Sequence, residues 1–253
     1  MKYPPSVPLG HFPTRIEKLE RLSRHLAGPQ IYVKRDDETG VATGGNKVRK
    51  LEFLLADALA QDCDHVVTLG APQSNHARQT AAAAARLGLD CTLILRGNPP
   101  AHTLGNLLLD ELLGAKVLWT GDRTREAVAA EQMNTLRHSG RRPYLIPVGG
   151  STALGALGYV VAMEEAMQQL ATPPLGIDAV VFASCTAGTQ AGLALGASLF
   201  GYAGRVIGIS IEATAQELSS RVKTIALDPA KLLHTRPTAV ALKTEDNADY
   251  LGG

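Results

Sequence analysis

Lys47, Arg49 and Lys50 place three cationic side chains within four positions, directly after Gly44-Gly45-Asn46. The paired glycines permit a sharp turn and Asn46 is a good helix N-cap, so Lys47 falls in the first turn of the helix that follows. A helix N-terminus carries partial positive charge and disfavours cations. Two readings are open. Either this is a solvated basic helix start, or the cations face an anion and one of them is an amine nucleophile with a depressed pKa.

A second stretch, Gly70-Ala71-Pro72-Gln73-Ser74-Asn75-His76-Ala77-Arg78-Gln79, joins a strand-like run to an alanine-rich helix. In parallel α/β folds, ligands sit at such strand-to-helix junctions. Ser74 and Asn75 can cap the helix and still offer hydroxyl, amide and N–H groups to a carboxylate; ordinary capping, with His76 on the helix surface, is the alternative. The third stretch is Ser184-Cys185-Thr186-Ala187-Gly188-Thr189-Gln190-Ala191-Gly192. Its small residues let consecutive N–H groups converge on a single phosphate, unless they serve only to make a tight turn. It has neither the Walker lysine nor a GxGxxG pattern, which argues against nucleoside triphosphates and a nucleotide-dependent oxidoreductase. Cys185 has no His or carboxylate beside it in sequence and reads as a small packing residue. A lysine, a Ser-Asn pair and a phosphate cup on three helix starts are together the parts of a pyridoxal phosphate site.

Short apolar runs at 31–33, 66–69, 91–95, 116–119, 144–146, 179–183 and 206–211 look like strands buried on both faces. Helix-like stretches lie between them at 46–61, 75–87, 103–113, 124–138, 154–170, 189–199 and 214–226. The alternation predicts βαβ units with mostly parallel, open twisted sheets flanked by helices. Turns at 43–46 and 147–151 divide the chain into a smaller α/β lobe, 62–150, and a larger lobe made of 1–61 plus 151–253.

Composition narrows the function. The 253 residues carry 25 Lys and Arg against 24 Asp and Glu, and only 4% aromatics, so nucleic acid is not an expected partner. Cys63, Cys91 and Cys185 are too few and too scattered for a disulfide framework or a metal site, and fit a reducing cytoplasmic setting. Residues 179–204 lack any charge, but five glycines and several polar residues favour a strand, a loop and a packed helix over a membrane span.

The three stretches, with Lys34-Arg35-Asp36-Asp37 before them and Pro147-Val148-Gly149-Gly150-Ser151 in between, resemble the D-cysteine desulfhydrase and 1-aminocyclopropane-1-carboxylate deaminase family from about residue 10 to residue 250. The resemblance implies a two-lobed, tryptophan-synthase-β-like fold (fold type II of the pyridoxal phosphate enzymes) and a homodimer. It implies that Lys47 is the Schiff-base lysine and α-proton base. Lys50, with the N–H groups around Thr186, Ala187, Gly188 and Thr189, would hold the cofactor phosphate. Asn75 would meet the ring hydroxyl; Ser74, Asn75 and His76 would receive the substrate carboxylate, and Ser74 is also a proton-transfer candidate. His76 favours the desulfhydrases over the deaminases, which commonly carry Gln there. The implied reaction is β-elimination from D-cysteine, with L-cysteate sulfo-lyase or cyclopropane deaminase activity as the alternatives. Family members continue beyond this chain's Gly253 with a Tyr-Thr-Gly-Lys segment and a His-Thr-Gly-Gly loop. From this we expect an incomplete larger lobe, and a chain that alone folds poorly or is a silent fragment unless another copy covers the gap.

Overall fold

The computed structural model describes residues 1–172, 174–233 and 244–249. Residues 234–243 and 250–253 of the larger-lobe segment therefore lie outside the described residues. Three sheets organise the rest. β1 (Ile16–Lys18) and β2 (Tyr32–Lys34) form an antiparallel pair around α1 (Glu20–Leu26). Four parallel strands, β3 (His65–Gly70), β4 (Asp90–Leu95), β5 (Lys116–Trp119) and β6 (Pro143–Ile146), are ordered β5-β4-β3-β6. β7 (Ala179–Ser184), β8 (Arg205–Ser210) and β9 (Thr244–Asn247) make a second parallel sheet in chain order.

The four-stranded sheet shows why its strands read as continuous apolar runs. Side chains alternate across a strand. Cys91, Leu93 and Leu95 therefore meet Ala77, Ala81 and Ala84 of α3 (Asn75–Arg86), while Ile94 joins Val67 and Leu69 against α5 (Arg125–His138). α4 (Asn106–Leu112) adds Leu107 on the α3 side. All six residues of β3 are buried.

Around the second sheet, helices approach through small residues. α2 (Lys47–Ala60) and α7 (Gly188–Leu199) both pack on α6 (Ala153–Leu170). A Cβ on Gly158 would lie 2.2 Å from the Arg49 carbonyl oxygen, and one on Gly192 would lie 2.2 Å from that of Ala156. Glycine at these positions sets the helix spacing, which is the packed-helix role expected for the charge-free stretch. Among the described residues, no helix is long and apolar enough to cross a membrane. α8 (Ala215–Leu232) starts with a capping box between Thr214 and Glu217.

Two strand expectations need correction. The run at 31–33 is not a strand buried on both faces: β2 is half-buried and pairs antiparallel with β1, a partner too short to signal itself. β7 is also open on one face, with Val181 60% exposed, and β8 is its sole strand partner among the described residues. The polar strand β9 carries no apolar pattern and was not foreseen.

Candidate active site

Lys47 stands at the first position of α2, and the way that helix starts explains where its amine goes. Gln79, reaching across from α3, accepts hydrogen bonds from the Lys47 and Val48 N–H groups at 3.0 and 3.1 Å. Asn46 occupies the cap position but has helical φ and ψ and makes no side-chain cap; its Oδ1 instead accepts from Lys47 Nζ at 3.0 Å. Gly45, at φ +135°, is required here, since a Cβ would come within 2.4 Å of Gln79 Nε2. Burial lowers the Lys47 pKa, partly opposed by the nearby Cys185, so the neutral, nucleophilic amine is more accessible than in water.

One turn along α2, Lys50 is 1% exposed. Its Nζ donates to the Gly149 carbonyl at 3.1 Å and to Ser151 Oγ at 3.3 Å. Burial, reinforced by Lys47, pulls its pKa well down. No carboxylate pairs with Lys47 or Lys50 among the described residues. Ser151 Oγ lies 2.7 Å from Thr186 Oγ1, which joins Lys50 to the loop before α7. There Ala187 adopts φ +64°, and a Cβ on Gly188 would strike Ser151 Oγ at 2.6 Å. The loop thus sets the α7 N-terminus, with its partial positive charge, two hydrogen bonds from the buried Lys50 amine, an arrangement suited to a phosphate.

A cavity of about 670 Å³ brings these parts together: Lys47, Asn46, Asn75, Thr186, Ala187 and Thr189 all line it. Lys50, Ser74 and Gly188 are not part of its wall. Ser74 caps α3 by accepting from the Ala77 N–H at 3.2 Å, which leaves its own hydroxyl proton to donate elsewhere. The N–H groups of Asn75 and His76 have no acceptor within the helix. Asn75 Oδ1 accepts from Asn106 Nδ2 at 3.0 Å.

The His76 side chain is placed differently from the expectation. It is 4% exposed, is not part of the cavity wall, and points at β3, with Nε2 2.9 Å from Thr68 Oγ1. Burial, with Lys47 and Lys50 close by, holds its pKa down to about 3, so the imidazole is neutral. A direct, charge-based grip on a carboxylate by this ring has no geometric support. Its backbone N–H remains available.

Sequence reasoning gave no role to several residues that the fold brings to the cavity. Lys34, Asp36 and Tyr159 line it, and Tyr159 donates to Asp36 Oδ2 at 2.9 Å. Asp36 in turn binds Arg49, which also reaches Glu165. Cys185 lines the wall too, its Sγ 2.8 Å from Glu212 Oε2, a carboxylate 27 residues away in sequence. Burial and that carboxylate raise the thiol pKa to about 11.

These features fit pyridoxal phosphate: a desolvated lysine in a cavity, a second buried lysine with no carboxylate partner among the described residues, and a helix start whose glycine packs directly on Ser151. The family model for pyridoxal-phosphate dependent enzymes matches residues 7–251. The chain belongs to that family. A Pyrococcus abyssi protein, provisionally named a 1-aminocyclopropane-1-carboxylate deaminase, is 44% identical over 232 residues, covering 90% of this chain and 69% of its own length. D-cysteine desulfhydrase of Klebsiella pneumoniae is 43% identical, over 92% of this chain and 73% of the relative. The crystal structure of an ACC deaminase homologue superimposes with a TM-score of 0.88 at 38% identity, covering 97% of this chain and 74% of that one. The fold is that of these fold type II enzymes, and the cofactor of the family is pyridoxal phosphate.

Lys50 and the α7 N-terminus would hold the cofactor phosphate, and Lys47 would carry its aldehyde carbon. A charge-assisted hydrogen bond contributes about 1.5–3 kcal/mol. Lys50→Met, which keeps the volume and removes the charge, is therefore expected to raise the pyridoxal phosphate Kd by about 10- to 100-fold, read from an absorbance titration.

Proposed function

We propose that this protein catalyses β-elimination from a small amino acid, with D-cysteine the favoured substrate: D-cysteine and water give pyruvate, hydrogen sulfide and ammonia. The observation that carries this reading is the pair of buried lysines one turn apart on α2, with no carboxylate partner among the described residues, the first of them lining a cavity shared with Asn75 of α3 and with Thr186, Ala187 and Thr189 at the start of α7. Bound pyridoxal phosphate supplies an electron sink for the carbon next to the amino group. Lys47, with its lowered pKa, can take the α-proton once its amine is free. The N–H groups of Asn75 and His76 and the Ser74 hydroxyl receive the substrate carboxylate and fix the α-carbon near Lys47. His76 contributes its N–H there, and its neutral ring, anchored on Thr68, holds the turn. Asn75 is taken to meet the hydroxyl of the cofactor ring.

The names of the most similar relatives favour two substrates, D-cysteine and the cyclopropane amino acid; L-cysteate is a third. Residues 62–150 are taken as the smaller lobe that carries the carboxylate site, and the chain as a cytoplasmic homodimer, consistent with three free cysteines. The deciding experiment is a substrate panel on protein supplied with pyridoxal phosphate: D-cysteine, L-cysteate, β-chloro-D-alanine and 1-aminocyclopropane-1-carboxylate, with keto acid, sulfide and sulfite scored separately. Sulfide and keto acid in equal amounts from D-cysteine are expected. Keto acid from the cyclopropane substrate alone would replace this reading with the deaminase, and no product from any of them would reject elimination.

A further inference from the structure

Away from the cavity, α3 and α4 enclose an unusual acid. Asp110 is 0% exposed, and neither of its carboxylate oxygens has a hydrogen-bond partner among the described residues. The Nε of Arg78, the cation nearest to it in electrostatic terms, is likewise buried without a partner. The rest of that guanidinium is engaged. Nη2 donates to the Gly44 carbonyl at 2.7 Å, three residues before Lys47, and Nη1 donates to Asn106 Oδ1 at 3.2 Å. Asn106, one turn before Asp110 on α4, holds the Gln73 carbonyl at 2.8 Å and Asn75 Oδ1 at 3.0 Å. Arg78 therefore ties the Lys47 turn to the α3 N-terminus, with an unpaired acid beside it.

An ionised carboxylate buried without a partner is costly, so the structure fits a neutral Asp110. Burial pushes its pKa up to about 7, with Arg78 opposing, which places ionisation in the neutral range. A carboxylate prefers a two-pronged grip from a guanidinium edge. The edge with a free prong is Nε–Nη2, and Nη2 is the atom now holding Gly44. Few other groups compete. From β4 the Cys91 thiol faces Asp110, but burial raises its pKa to about 12. β5 brings the apolar Val117 and Trp119 to this cluster and keeps Lys116 exposed.

We propose that Asp110 and Arg78 form a proton-operated clasp: with Asp110 neutral, Arg78 holds the Lys47 turn as seen here, and when Asp110 ionises, the Nε–Nη2 edge moves from the Gly44 carbonyl to the carboxylate and loosens that turn. Both are positioning residues. The clasp does not depend on which amino acid is the substrate.

Trp119 is the sole tryptophan of the chain and packs in the same cluster as Leu107 of α4, so its fluorescence reports this layer. Titrated from about pH 5.5 to about pH 8.5, the wild-type emission is expected to step with a midpoint near 7. Amide exchange at residues 44–48, corrected for intrinsic rate, should quicken across the same step. Asp110→Asn, a neutral isostere, should abolish both changes; Arg78→Gln, by removing the opposing cation, should move the fluorescence midpoint upward. A wild type flat over the whole range overturns the proposal, and this result does not depend on any variant folding. So does a step that persists in D110N, a midpoint unmoved in R78Q, or a fluorescence step without faster exchange at residues 44–48.

Discussion

Alanine in place of Lys47 removes keto-acid release from every substrate in the panel, a fall of at least about 10³-fold. Such a drop exceeds the lower part of the 10²–10⁴ range for losing a general base alone. The same side chain is also the candidate to bond the cofactor covalently, so its loss removes two functions at once. The variant should not be less stable. Burial depresses the Lys47 pKa, which means the folded state disfavours the ammonium, and deleting the group removes that penalty. Urea unfolding should therefore give a midpoint equal to or above that of the wild type. Borohydride reduction with pyridoxal phosphate adds cofactor mass at residue 47 in the wild type and at no residue of α2 in the variant. Trapped mass that persists on Lys50 in the variant, together with retained turnover, would reassign the amine.

Lys47 was legible because its signals are local. A double-glycine turn, a cap-type residue and a misplaced cation lie within four positions, and each has a physical meaning by itself. The same holds for the Ser74-Asn75 junction and for the turn at 186–189. What could not be read is whatever the fold brings from a distance. Gln79 caps α2 from another helix, 32 residues away, and so replaces the cap that Asn46 seemed to supply. Glu212 reaches Cys185 across 27 residues, turning a supposed packing residue into part of the cavity wall. The inward turn of the His76 ring was hidden for another reason. It lies in a motif whose neighbours face the ligand, but successive side chains on a helix point about 100° apart, and position 76 turns inward to Thr68. The parallel sheets were readable from apolar runs alternating with helical stretches. The exposure of β7 was not, because an apolar run records burial potential and says nothing of which faces the rest of the fold covers.

Arg49 is the largest of these long-range surprises and gives the largest expected loss of stability. It is 2% exposed, donates to Asp36 at 2.8 Å and to Glu165 at 3.0 Å, and its guanidinium carbon stands 4.3 Å from the centre of the Phe12 ring. Lys34 pairs with the same Glu165, so the network ties α2 and α6 to the segment preceding β1 and to β2. Arg49→Met keeps much of the packing but leaves two largely buried carboxylates with one lysine between them. Removing one partner of a buried pair costs about 3–5 kcal/mol. The urea midpoint should fall accordingly, with the slope unchanged. The pH dependence identifies the cause. Burial alone would raise the Asp36 and Glu165 pKa values, but Arg49 heads the partners that hold both below the ordinary range. An acid with a lowered folded pKa contributes fully above its unfolded value, about 4, and loses that contribution as pH falls through the folded value. Without Arg49, burial raises the Asp36 pKa, and protonation relieves the variant where it weakens the wild type. The gap between the two proteins should therefore be widest near pH 7 and narrow below about pH 4. Adding Asp36→Asn to Arg49→Met should recover part of the loss at pH 7, because the uncompensated charge is then gone. A gap that is constant with pH, unaffected by that second change, would mean that Arg49 stabilises the fold through its packing on Phe12 and not through its charge.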